Sequence, residues 1–126
     1  MSVGGYVELD AWNIALKLVV ETYRVTGTMR SDERFALVQQ MRRAAVSVTS
    51  NIAEGHSRRS RREYLRFVIV AWGSLTELES QLLVARELGL VPHEDLSAAS
   101  RLITRTARLL RGVERALARS LHRGST

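Results

Sequence analysis

Apolar residues recur every three or four positions along almost the whole of this chain, and a single proline, Pro92, interrupts it. That spacing is the period of an α-helix laid against a core, and no stretch alternates with the period of two that a half-buried strand requires. The chain is therefore expected to be all-α, with four helices set by their punctuation. The first spans about 10–26: Asp10 serves as its N-cap, Leu9, Trp12, Leu16, Val19, Val20 and Tyr23 share one face, and Gly27 ends it. Ser31 or Asp32 opens the second, about 32–54, whose core stripe is Leu37, Met41, Ala44, Ala45, Val48 and Ile52, with Gly55 as the stop. Ser60 and Glu63 form the S-x-x-E capping box of the third, about 60–88, which halts at Gly89. Pro92 leads into the fourth, about 93–121, carried by Leu102, Leu109, Val113, Leu117 and Leu121. Residues 1–8 and 122–126 are expected to be loose.

Connections of a few residues between long helices force neighbours to run antiparallel, so the expected architecture is an up-down-up-down four-helix bundle, a single domain over 1–126. A chain of 126 residues can bury such a core without crosslinks. It has no cysteine, which excludes disulfides and thiol catalysis. His56, His93 and His122 lack a carboxylate three or four residues away, as a helical metal site would need, and are read as exposed residues; no metal or cofactor is expected. With no phosphate-cradling glycine loop and no nucleophile elbow, the chain reads as a non-enzyme. No secretory leader and no apolar run near the ~20 residues of a membrane span are apparent, which points to a cytoplasmic protein without a membrane partner.

Polar residues fall in places that ask for neighbours. On the second helix Arg43, Ser47, Ser50 and Glu54 form one stripe, with Asn51 beside it. Its small side chains suggest that another helix comes close. On the third, a turn of 100° per residue puts Glu79 within the arc of Tyr64, Val68, Trp72, Leu75, Leu78 and Leu82. A carboxylate buried there needs a partner, and Arg43 on the neighbouring helix is the expected one. From Phe67 to Trp72 this helix is apolar nearly all round, more than one side of a bundle can bury, which suggests a subunit contact.

The net charge of +6 comes almost wholly from arginine, since Lys17 is the only lysine. Arg58, Arg59, Arg61 and Arg62 crowd the loop and first turn of the third helix, where the helix dipole disfavours cations. On the fourth, Arg101, Arg105, Arg108, Arg111, Arg115 and Arg119 lie within a stripe about 120° wide that holds no acid. Guanidinium groups pair bidentately with phosphate, so RNA or DNA is the expected partner. No aromatic residues interleave with them, which favours contact with the nucleic-acid backbone over base stacking. The competing reading is an acidic protein partner, with the chain acting as an adaptor or scaffold for a nucleic-acid enzyme such as a reverse transcriptase.

Three runs carry a family resemblance: QMRRAAVSVTSNIAEGHSRRSRREYLRF, AWGSLTELESQL and ARELGLV. They resemble the four-helix-bundle proteins encoded in intervening sequences of 23S rRNA genes. The shared signature falls here on Arg43, Ser47, Asn51, Glu54, Gly55, Gly73, Ser74, Leu75, Glu77, Glu79 and Gln81. The resemblance implies a homopentameric ring of bundles and an association with nucleic acid; a related branch serves as the accessory variability protein of diversity-generating retroelements. The chain departs from the family in the first turn, where Gly27, Thr28, Met29 and Arg30 replace a phenylalanine-proline pair.

Overall fold

The computed structural model describes residues 4–29 and 35–124, and among these there is no strand. A 3-10 turn, Gly5–Glu8, leads into α1 (Asp10–Gly27), α2 (Phe35–His56), α3 (Arg61–Glu87) and α4 (His93–Gly124). The expected caps at Ser31 and Asp32, and Arg30 of the first turn, lie outside the described residues.

Local chemistry accounts for most boundaries. Leu9, in extended conformation, occupies the N-cap of α1, so Asp10 is the first helical residue and not the cap. A carboxylate there still complements the positive end of the helix dipole. Ser60 caps α3, its hydroxyl accepting from the Glu63 backbone N–H at 3.3 Å. The capping box is only half made, because the Glu63 carboxylate turns to Arg66 at 2.9 Å. Gly89, at φ 70°, ends α3: Leu90 N–H donates to the Ala85 carbonyl and Gly89 N–H to Arg86, both at 2.9 Å. This left-handed closure is open to glycine at no steric cost. Neither end is as loose as expected. Asn13 Nδ2 donates to the Val7 carbonyl at 2.8 Å, Tyr6 packs edge-on to Trp12 at 5.1 Å, and α4 continues past residue 121 to Gly124.

The four helices surround a core in which Leu18, Met41, Val48, Ile52, Leu78 and Leu110 are sealed from solvent. Each helix packs on two neighbours, α1 on α2 and α4, and α3 on α2 and α4. Neither α1 with α3 nor α2 with α4 approaches closely, so these are the diagonals.

Two helices are rotated from the faces expected of them. In α1 the buried side is Ala11, Ala15, Leu18, Thr22, Val25 and Thr26, whereas Leu16, Val20 and Tyr23 point outward. Threonine is buried here because its hydroxyl bonds back on its own helix: Thr22 Oγ1 donates to the Leu18 carbonyl and Thr26 Oγ1 to Thr22, each at 2.7 Å. In α4 the centre of the core stripe is Leu96, Ala99, Ile103, Thr106 and Leu110. Leu102, Leu109 and Val113 are only half-buried at its margin. By length and composition alone α3 could cross a bilayer, contrary to the expectation that no stretch comes near this; a core helix passes the same test. Its apolar residues Ile69, Val70 and Val84 are exposed on the outer surface, as is Leu83 where it borders the α4 side.

Candidate nucleic-acid interface

The seam between α2 and α3 holds most of the signature residues. Ser47 and Ser74 share a hydrogen bond of 2.8 Å, and Asn51 Nδ2 donates to the Ser47 carbonyl at 2.8 Å and to its hydroxyl at 3.0 Å. Small hydroxyls let the two helices close up while satisfying each other. Gln81 Nε2 donates to Glu77 at 3.0 Å, but Gln81 Oε1 is buried with no hydrogen-bond partner among the described residues.

Gly55 is not the stop that the sequence suggested; α2 runs on to His56. A Cβ on Gly55 would lie 2.7 Å from Phe67 Cβ and 3.1 Å from Tyr64 Cδ1. The residue is glycine because α3 begins against it. His56 is correspondingly half-buried, its ring edge-on to Tyr64 at 5.7 Å, and is not a solvated loop histidine. Burial raises the Tyr64 phenol above its ordinary pKa of 10.0. Gly73 differs: nothing stands within 4 Å of the Cβ it lacks.

The expected pair of Glu79 with Arg43 is not formed within the chain. Both side chains are exposed. Arg43 opens onto a groove shared with Gln40, Ser47, Ser74 and Glu77, whereas Glu79 faces α4 in a cleft with Arg86, His93 and Arg101. On a helical projection Glu79 sits at the margin of the arc of Leu75, Leu78 and Leu82.

The arginines lie at the surface. On α4, Arg101, Arg105, Arg108, Arg111, Arg115 and Arg119 are exposed along one face. Arg111 is partly engaged: it lies over the Trp72 ring at 4.8 Å and reaches Glu114 at 3.7 Å. Arg101 Nη1 donates weakly to Ser97 at 3.4 Å. Arg105, Arg108, Arg115 and Arg119 make no ion pair among the described residues. In the loop, Arg58 is tied to Glu54 at 2.7 Å and covers Phe67 at 4.8 Å, while Arg59, Arg61 and Arg62 remain exposed and unpaired among the described residues. Arg66, absent from the sequence reading, also lies over Phe67, at 4.7 Å. Its guanidinium and hydrogen bond hold the Glu63 carboxyl below its usual range.

Arg115 and Arg119 lie toward the end of the molecule that carries Arg58–Arg62, whereas Arg101 stands toward the other end, in a cleft with Arg86. Arg111, late in α4, meets Trp72 in the first half of α3, and the opening of α4 shares a cleft with the close of α3. The last turns of α4 thus run beside the Arg58–Arg62 loop. No periodicity in the sequence could have found the Trp72–Arg111 contact, which joins residues on different helices. Among the described residues no three of His, Asp and Glu converge as a metal-binding group.

The family described as 23S rRNA-intervening sequence protein matches residues 7–112. A crystal structure of a protein of unknown function from the S23 ribosomal protein family of Bacteroides thetaiotaomicron VPI-5482 superposes with a TM-score of 0.76 at 18% identity, over 82% of this chain and 97% of that one. At that identity the likeness concerns the fold. No curated protein matches the sequence.

Proposed function

The chain belongs to the 23S rRNA-intervening sequence protein family, and from that premise we propose that it is a non-enzymatic, ring-forming bundle that holds nucleic acid by its phosphates. The bundle is antiparallel, up-down-up-down. Supporting this, Ser47 in mid-α2 meets Ser74 in mid-α3, Gly55 at the end of α2 meets Tyr64 at the start of α3, and Asp10 and Ile14 of α1 share a groove with Leu109 and Arg105 of α4.

Assembly follows from two apolar faces on diagonal helices. One is Leu16, Val20 and Tyr23 on α1, with Val20 64% exposed; the other is the outer side of α3, with Ile69 54% exposed. A patch that differs from its partner patch, on the opposite side of the molecule, makes a head-to-tail contact, and such contacts form a ring when the rotation from copy to copy closes. The family resemblance sets that ring at five copies.

The observation that carries the binding function is the face of α4 on which Arg105, Arg108, Arg115 and Arg119 stand exposed without ion-pair partners. Unlike Arg24 and Arg66, which pair with neighbouring carboxylates, these four keep their guanidinium donors open to a phosphate. Repeated around a ring, this face multiplies weak contacts along one strand through effective concentration. Fluorescence anisotropy with a labelled RNA at several salt concentrations tests it. Log affinity falls with log salt at about −0.7 per phosphate contact on a single strand. Replacing Arg105, Arg108 and Arg115 with glutamine weakens binding to unrelated sequences equally and flattens that slope. No binding at low salt, or a triple variant equal to the parent, overturns the reading. A stoichiometric protein partner would then make the chain an adaptor.

A further inference from the structure

Between the close of α3 and the opening of α4 lies a cleft of about 400 Å³ whose two ends differ in charge. At the upper end stand Arg86, His93 and Arg101. Arg101 Nη1 donates weakly to Ser97, one turn back toward the start of α4, the end at which Arg86 and His93 stand. Among the described residues Arg86 pairs only with its exposed neighbour Glu87, at 3.2 Å, a link easily given up to a ligand. At the lower end, two helical turns and about 10 Å away, is Glu79. No ion pair joins Glu79 to either guanidinium. Leu82, Leu96 and Ile103 make an apolar floor between the ends, with Ser100 and Thr104 along its α4 wall.

A cationic end, an apolar floor and a lone carboxylate specify a ligand with complementary parts in the same order. Guanidinium forks take a phosphate. The floor takes a flat ring. A carboxylate accepts from adjacent N–H groups, and among nucleobases guanine offers two of them, N1–H and the 2-amino group, on its pairing edge. The span matches an extended nucleoside monophosphate, and the cleft volume is that of an ordinary small-ligand site. We infer that this cleft binds one guanine nucleotide unit, its phosphate on Arg86, His93 and Arg101 and its base edge on Glu79. The site shares only Arg101 with the phosphate-tracking face and does not depend on it.

Calorimetry with GMP, AMP, guanosine and inorganic phosphate tests the assignment. GMP should bind at least tenfold tighter than either guanosine or phosphate, each of which satisfies one end only. Glu79→Gln should abolish the preference for GMP over AMP, while Arg86→Gln should weaken both nucleotides alike. Every altered side chain is exposed, so melting temperatures should not change. A glutamine triple variant at Arg105, Arg108 and Arg115 should keep its GMP affinity, which separates this site from the strand-binding face. Competition by a 5′-phosphorylated oligonucleotide beginning in guanosine, lost when its 5′ end is a hydroxyl, identifies a strand terminus as the source; GMP binding indifferent to that competitor identifies the free nucleotide. GMP binding no tighter than inorganic phosphate, or an unchanged GMP to AMP ratio in Glu79→Gln, overturns the proposal.

Discussion

The missing side chain of Gly55 and the Cβ of Phe67 occupy nearly the same space: a Cβ on Gly55 would stand 2.7 Å from that of Phe67. Because the blocking atom is itself a Cβ, it cannot swing aside, and only a displacement of α2 from α3 would relieve the clash. Gly55→Ala should therefore destabilise the fold by about 1–2 kcal/mol, overpacking outweighing the gain of up to about 1 kcal/mol that alanine brings to a helix. Gly73→Ala meets open space and should stabilise an isolated bundle by up to about 1 kcal/mol. Urea unfolding of the two variants side by side checks the sign of each.

Gln81 is 9% exposed and carries a buried amide oxygen without a donor. An unsatisfied buried acceptor costs about 1–3 kcal/mol, so Gln81→Met, of similar volume, should leave stability unchanged or raise it. Loss of more than about 1 kcal/mol on chemical denaturation would mean that Gln81 is fully paired, since that is the worth of an ordinary satisfied hydrogen bond.

Head-to-tail assembly has a signature that a symmetric contact lacks. Val20→Glu blocks the α1 face and Ile69→Glu the α3 face, and each variant alone should be monomeric with unchanged helicity. Mixed, they retain one intact pair of faces and should form a dimer of one copy each. Light scattering of the separate and mixed samples decides it, and a mixture that stays monomeric contradicts the two-face arrangement.

The phenol of Tyr64 is held neutral by burial, its pKa raised above 10.0. The unfolded chain ionises first as pH rises, so the stabilisation is complete below the unfolded value and disappears as pH climbs through the folded one. Stability should fall above about pH 10, and Tyr64→Phe should lessen that fall. Denaturation midpoints at pH 8 and above, for both chains, measure the difference.

What the sequence made legible was set by glycine, proline and capping residues. The ends of α3 fall within a residue of their expected places, since Ser60 and Gly89 act through local backbone geometry that needs no neighbour. Orientation was harder. Large side chains dominate a periodicity argument, yet α1 turns Ala11, Ala15, Thr22 and Thr26 inward and leaves Leu16 and Val20 outside. Only tertiary packing decides between two competing faces, and the threonines qualify for burial through hydroxyls bonded to their own helix. Glu79 failed for a related reason: it stands at the margin of the buried arc, where it opens onto the cleft beside α4. The arginine face was legible because every member had to be solvated whichever way the bundle closed.

The four helices are of unequal length. Asp10, where α1 begins, shares a groove with Leu109, so the final turns of α4 have α3 as their companion but not α1. Local opening free energy tracks the number of neighbours that must be shed, and a helix gripped on one side opens at far lower cost than one gripped on two. Amide protons from Arg111 onward should exchange with deuterium well before those of the Leu96–Leu110 stretch. Arg115 and Arg119 thus stand on a segment held to the core chiefly by Leu117, and if the proposed strand binding holds, these two cations can shift to follow the spacing of its phosphates while Arg101 and Arg105 keep a fixed register.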